Sequence, residues 1–160
     1  MRMFISSLRA VLVFLIAGCA IICCKAPMHT NEVMLKNGGR DELNLQATGY
    51  GRDEKAAMLD AFKRAVDAVL YRGFTDSGSP VKDPLIRDKD QAMSQHKDFF
   101  HKLYEERMLN EVILSYNQKE LNRIKNDRPD KWEATYDVKV NLRLLRSRLE
   151  DAGIIRKFGI

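Results

Sequence analysis

The sequence predicts a two-layer α+β domain: a small antiparallel sheet with helices packed on one face, in the order β-α-α-β-β-α. Three observations carry this prediction. Trp132, Ala134, Tyr136, Val138, Val140 and Leu142 alternate with Glu133, Thr135, Asp137, Lys139 and Asn141, so one strand face is apolar and the other is wet. The run passes directly into RLLRSRLEDAG, where Leu142, Leu145, Leu149 and Ala152 recur at helical spacing and Gly153 is a natural stop. Glu42 to Gly51 alternates in the same manner and is again followed by a helical repeat. A sheet with one wet face must cover the other with helices, and strands joined by a short loop must run antiparallel.

At 160 residues, 45% hydrophobic and 31% charged, the chain has material for one core of ordinary size. The net charge of +5 falls by the two charges of Arg2 and Arg9, to +3, if residues 1–18, which hold no acid, are removed. So mild an excess is not the concentrated basic face of a nucleic-acid binder. Cys19, Cys23 and Cys24 are the three cysteines, so the later domain is expected to have no internal disulfide and to depend on packing.

Taken in order, residues 1–18 have a short basic region with Arg2 and Arg9, an apolar core from Val11 to Ala17, and small residues at Ala17 and Gly18. That is the layout of a secretory signal peptide. The stretch Ala10 to Cys24 is shorter than the roughly 20 residues that span a bilayer. Cleavage before Cys23 or Cys24 would put Ile22 or Cys23 at the small-residue position, so Cys19 is the expected site. Ile16, Ala17, Gly18 and Cys19 resemble the lipobox of bacterial lipoproteins. The resemblance implies a diacylglycerol thioether on Cys19, cleavage before it, and acylation of the new amino terminus. It also implies, from Ala20 rather than aspartate at the next position, the outer membrane facing the periplasm. Several acyl chains make such an anchor effectively permanent, since each buried methylene contributes about 0.8 kcal/mol.

Residues 19–40 are then read as the lipidated cysteine and a tether, because Lys25 to Arg40 contains Pro27, Asn37, Gly38 and Gly39 and sustains no period. Residues 41–160 form the single domain. Its first strand, Glu42 to Gly51, closes in TGYGRD; Asp53 caps a helix whose Ala57, Met58, Ala61, Phe62, Ala65, Val66, Val69 and Leu70 face inward until Gly73. Phe74 to Pro84 is rich in turn formers and is expected to be the most mobile loop. A second helix is expected from about Ile86 to Arg107, with Met93, Phe99, Phe100, Leu103, Tyr104 and Met108 inward. Val112, Leu114 and Tyr116 begin the next strand, Lys119 to Lys125 either extends it or turns, and NDRPD links it to the last strand.

The segments ATGYGRDEKAAMLDAFKRAV and YDVKVNLRLLRSRLEDAG resemble the small bacterial lipoprotein family that shares its fold with the N-terminal domain of the flagellar assembly T protein. The likeness covers roughly residues 41 to 155. It implies an envelope protein that builds or supports an assembly, and it brings no catalytic position with it.

Searching for chemistry leaves little. Gly49 and Gly51 lack the third glycine and the βαβ unit of a nucleotide fingerprint, so a turn is expected there. His96 and His101 are five residues apart, which points them about 140° apart on a helix. His29 lies in the tether and completes no zinc set. The neighbours Asp53 with Glu54 and Glu105 with Glu106 read as solvated carboxylates. No catalytic residue, metal or cofactor is therefore expected.

The most suggestive surface feature is Arg143, Arg146 and Arg148, with Arg156 and Lys157 beyond. A solvated helix end outweighs a contact with anionic headgroups or an acidic partner as its reading. The function expected is a non-catalytic structural or adaptor lipoprotein. Its partners are the membrane, a second copy or another envelope protein. The alternative is a periplasmic regulator or ligand-binding module of a cell-wall enzyme, reached through the tether.

Overall fold

The computed structural model describes residues 33–75, 79–124 and 131–157. Within them, four strands form one antiparallel sheet: β1 (Val33–Gly38), β2 (Glu42–Gly51), β3 (Ile113–Ile124) and β4 (Lys131–Asn141), in the spatial order β1-β2-β4-β3. Helix α1 (Glu54–Asp67) runs without a break into a π-helical turn at Ala68–Arg72. Helices α2 (Lys89–Gln95), α3 (Lys97–Leu103) and α4 (Glu106–Val112) precede β3, and α5 (Leu142–Asp151) follows β4. The class is the expected two-layer α+β domain, with an extra first strand and a middle helix divided in three.

The two alternating segments pair with each other down the middle of the sheet, from Gly51 opposite Trp132 to Glu42 opposite Asn141. Their inward residues Leu43, Leu45, Ala47, Ala134, Tyr136, Val138 and Val140 are buried. Their outward residues bond across the open face: Thr48 and Thr135 share a hydrogen bond of 2.9 Å, and Lys139 lies 3.1 Å from Glu42. Asp137 sits between Lys36, at 2.6 Å, and Lys119, at 3.3 Å.

Helix α1 starts where Asp53 accepts a hydrogen bond from the Ala56 amide at 2.7 Å, and it buries Ala57, Ala61, Phe62, Ala65 and Val66. Gly49 and Gly51 are not a turn. They stay in β2, and a Cβ on Gly49 would stand 2.2 Å from the Ala57 carbonyl oxygen and the Ala61 amide nitrogen, while one on Gly51 would stand 2.3 Å from the Ala57 amide nitrogen. The glycines and facing alanines therefore let helix and strand backbones touch. Beyond the end of β1, the Tyr50 amide donates to Asp60 at 2.9 Å, so the helix also satisfies an edge of the strand it covers.

The tether reading fails over its last part. Val33–Gly38 is a strand, paired with Ala47 back to Leu43 and irregular between Leu35 and Asn37. Only Val33 is buried in it, too little for a period to be visible. The strand exists because β2 offers its edge and because the Arg72 guanidinium donates to the Val33 carbonyl at 2.6 Å. The turn expected around Gly38 and Gly39 is the β1–β2 connection.

The single helix expected over 86–107 is also corrected. Its chain leaves helical geometry at His96 (φ −124°, ψ 40°) and again at Tyr104 and Glu105 (ψ 0° and 145°). Each break rotates the next inward face, so Phe100, Leu103 and Leu109 are buried while Met93, expected inward, is 37% exposed. Ile86 precedes the first helix, its amide bonded to the Leu70 carbonyl at 2.8 Å. Val112 ends α4 and is not in the strand; β3 begins at Ile113 and continues through Ile124, with Leu114 and Tyr116 exposed. In the 74–84 segment, the Phe74 amide bonds the Val81 carbonyl at 2.8 Å, and Phe74, Ser79 and Val81 are buried. Gly153, at φ 70°, ends the last helix as expected.

Candidate functional site

A cleft of about 890 Å³ lies between the segment leading into α2 and the end of α5. Two local features build its walls. Asp88 caps α2 by accepting from the Gln91 amide at 2.9 Å. On the other side, the turn at Gly153 brings Ile154 and Ile155 back, their amides bonded to the Leu149 carbonyl at 2.9 and 3.5 Å. Leu85, Ile86, Ala92, Ile154 and Ile155 supply apolar lining; Arg87, Arg146 and Arg156 face Asp83, Asp88 and Glu150 around them, and His96 joins the rim. Three cations beside three carboxylates give a balanced field. An apolar floor with fixed charges of both signs suits a peptide segment better than a concentrated anion.

The arginines singled out from the sequence do not act as one patch. Arg146 lines the cleft. Arg148, about 160° away on the same helix, reaches Glu111 at 3.3 Å and ties α5 to α4. Arg143 is exposed in the first turn, where its amide meets the Asp41 carbonyl at 3.2 Å. Lys157 lies 3.8 Å from Asp151, and only Arg156 joins Arg146 at the cleft. Sequence reading missed Arg87, Asp83 and Asp88, because proximity to α5 comes from the pinning of Ile86 and leaves no periodic trace. Cys19, Cys23, Cys24, His29 and the tail Phe158 to Ile160 lie outside the described residues.

A second polar group sits at the junction of α1 with its π-helical turn. The Tyr104 hydroxyl donates to Asp67. Burial pushes the Asp67 carboxyl up, against the pull of Tyr104 and of Lys89, Arg64 and Lys63. Burial, then the Asp67 contact, pushes the Tyr104 phenol far up, so it stays protonated and committed to its acceptor. Tyr71, carried by the π-helical turn, packs 6.4 Å from Phe100 and has Lys89 Nζ 4.8 Å above its ring. Its buried hydroxyl lies beside Tyr104 and, among the described residues, reaches hydrogen-bond geometry to no group. The arrangement clasps α1 to α3. A shallower hollow of about 420 Å³ opens beside it, lined by Lys63, Met93, Lys97, Phe100, His101, Tyr104 and Glu105. His96 and His101 thus face different cavities.

Among the described residues, no three potential metal ligands stand together, and no helix is long and apolar enough to cross a membrane. No protein-family model matches the chain, and neither the curated proteins nor the solved structures give a match. The likeness to the flagellar-assembly-type lipoproteins therefore rests on the quoted residues alone.

Proposed function

We propose that the protein is a non-catalytic lipoprotein, held by acylated Cys19 at the periplasmic face of the outer membrane, whose domain serves as an adaptor for another envelope protein. The observation that carries this reading is the sequence Ile16-Ala17-Gly18-Cys19 after a basic and an apolar region. Fourteen residue steps separate Cys19 from Val33, the first residue of β1, so the domain lies within about 50 Å of the anchor even if that segment is fully extended. The regulator reading asks for longer reach, and the pairing of Val33–Gly38 into the sheet removes those residues from the tether. The cleft beside Arg146 is the natural seat for a segment of the partner.

The test has two arms. Cys19→Ala should abolish metabolic incorporation of labelled fatty acid and release the protein from the membrane fraction. Unchanged labelling would overturn the anchor. In cells with the anchor intact, Arg146→Glu should reduce cross-linked recovery of the partner severalfold, while Arg143→Glu should not. Equal recovery with both variants would overturn the cleft as the docking site.

A further inference from the structure

β3 is the longest strand, twelve residues, and it lies at the edge of the sheet. Ile113 alone is buried in it; Leu114 and Tyr116 are 45% and 53% exposed. One side of the Tyr116 ring packs 5.0 Å from Phe62 and 6.0 Å from Tyr136, the other faces water. An edge of unpaired amides and carbonyls beside uncovered apolar side chains is a template for another strand.

The order of residues in β3 selects the occupant. Pairing with β4 skips a residue between Gln118 and Glu120. Tyr116, Gln118, Leu121 and Arg123 consequently share the inner face with Val138, Tyr136, Ala134 and Trp132, whereas Asn117, Glu120 and Asn122 lie opposite outward residues of β4. Lys119, the extra residue, is outward as well, 3.3 Å from Asp137 yet still 43% exposed. In an unbulged strand, a twofold axis normal to the sheet can never pass between two consecutive residues, because they point to opposite faces. Here the bulge puts Lys119 and Glu120 on one face, so an axis between them is allowed. It pairs Lys119 with the copy's Glu120, Gln118 with Leu121, Asn117 with Asn122 and Tyr116 with Arg123, each pair matched in face. Glu120 makes no ion pair among the described residues, and a lysine ammonium has three donors, so Lys119 can hold Asp137 and a second carboxylate together. Bulges and edge lysines usually guard a strand against pairing. In this strand they make it complementary to itself.

We propose that the chain pairs with a second copy of itself along β3, antiparallel about a twofold axis between Lys119 and Glu120, joining the two sheets into one. The pairing depends on neither the lipid anchor nor the cleft. It leaves both cleft openings free, since the cleft is built from the segment before α2 and from α5.

The test uses two differently tagged copies of the full-length chain, co-expressed and extracted in non-ionic detergent. Wild-type copies should recover one another, with a protein mass of two chains by detergent-corrected light scattering. Lys119→Glu in both copies, or Glu120→Lys in both copies, should lower that recovery at least tenfold by setting like charges across the axis. One copy with K119E and the other with E120K should restore it, because both cross-axis contacts are then opposite in charge. The exposed E120K variant and the restored mixed pair exclude misfolding as the cause. Repeating the wild-type experiment in the Cys19→Ala background should leave recovery unchanged, which separates this pairing from co-residence in a micelle. Monomeric wild-type protein, recovery indifferent to either charge reversal, or failure of the mixed pair to recover would each overturn the proposal.

Discussion

β2 and β3 are long strands of the same sheet, on either side of β4, and they meet opposite fates. β2 alternates buried and half-exposed residues along its length because α1 lies directly on it; β3 is exposed almost throughout, and beyond Ile113 α1 meets its inner face through Phe62, which packs against one side of Tyr116. The contrast originates in small residues. Gly49 and Gly51 in β2, facing Ala56, Ala57 and Ala61 in α1, leave nothing bulkier than a methyl group at the contact, which draws the helix onto that side of the sheet. Hydrophobicity alone does not decide which strand is buried. Tyr116 and Tyr136 touch the same Phe62 ring, yet they are 53% and 2% exposed.

The sharpest way to test that asymmetry is to truncate the two tyrosines. Tyr136→Ala empties a filled site and should cost about 3–5 kcal/mol, whereas Tyr116→Ala, at a half-wet position, should cost about 1 kcal/mol or less, both read from urea unfolding midpoints. Equal losses would mean that the inner face of β3 is as well packed as that of β2. Next in size is the helix–strand contact itself. Gly49→Ala forces a methyl into the α1 backbone and should destabilise by about 3 kcal/mol. Gly39→Ala, where a Cβ meets nothing within 4 Å, should change stability by about 0.5 kcal/mol at most.

The smallest expected effect sets a carboxylate under the helices against one on the open face. Burial raises the Asp67 carboxyl. Its contribution to stability is therefore present at low pH and is lost as pH rises from the ordinary carboxylate range through its folded value. Asp137 is pushed up by burial but pulled further down by Lys36 and Lys119, for a net lowering. Its contribution is present above the ordinary carboxylate range and is lost as pH falls through its folded value. Asp137→Asn should flatten the loss of stability on acidification, and Asp67→Asn should flatten the opposite slope, in midpoints measured from pH 3 to 7. The same sign of change in both variants would refute this account.

Where one face of an element was wet and the other dry over ten residues, the sequence was legible: β2, β4, α1 and α5 fall where the alternation and the three-to-four spacing place them. Asp53 and Gly153 are the caps their residue types suggest. β1 was hidden because one buried valine makes no period, and the 86–107 helix was drawn too long because its breaks at His96 and Tyr104 carry neither proline nor glycine. Of the cluster read mainly as a solvated helix end, with a contact site as its second reading, Arg146 and Arg156 reach the cleft, while helical rotation carries Arg148 to Glu111 instead.

By itself, then, the sequence determined the α+β class, the pairing-competent strands and the expectation of a lipid anchor at Cys19, because these follow from local periodicity and from a contiguous motif. Only the tertiary structure decided which strand α1 would cover, that β1 would join the sheet, and that Asp83 to His96 would face Arg146 across a cleft. Those outcomes depend on contacts between residues far apart in the chain. Their energies depend on atoms meeting at 3–4 Å, a condition that no local pattern records.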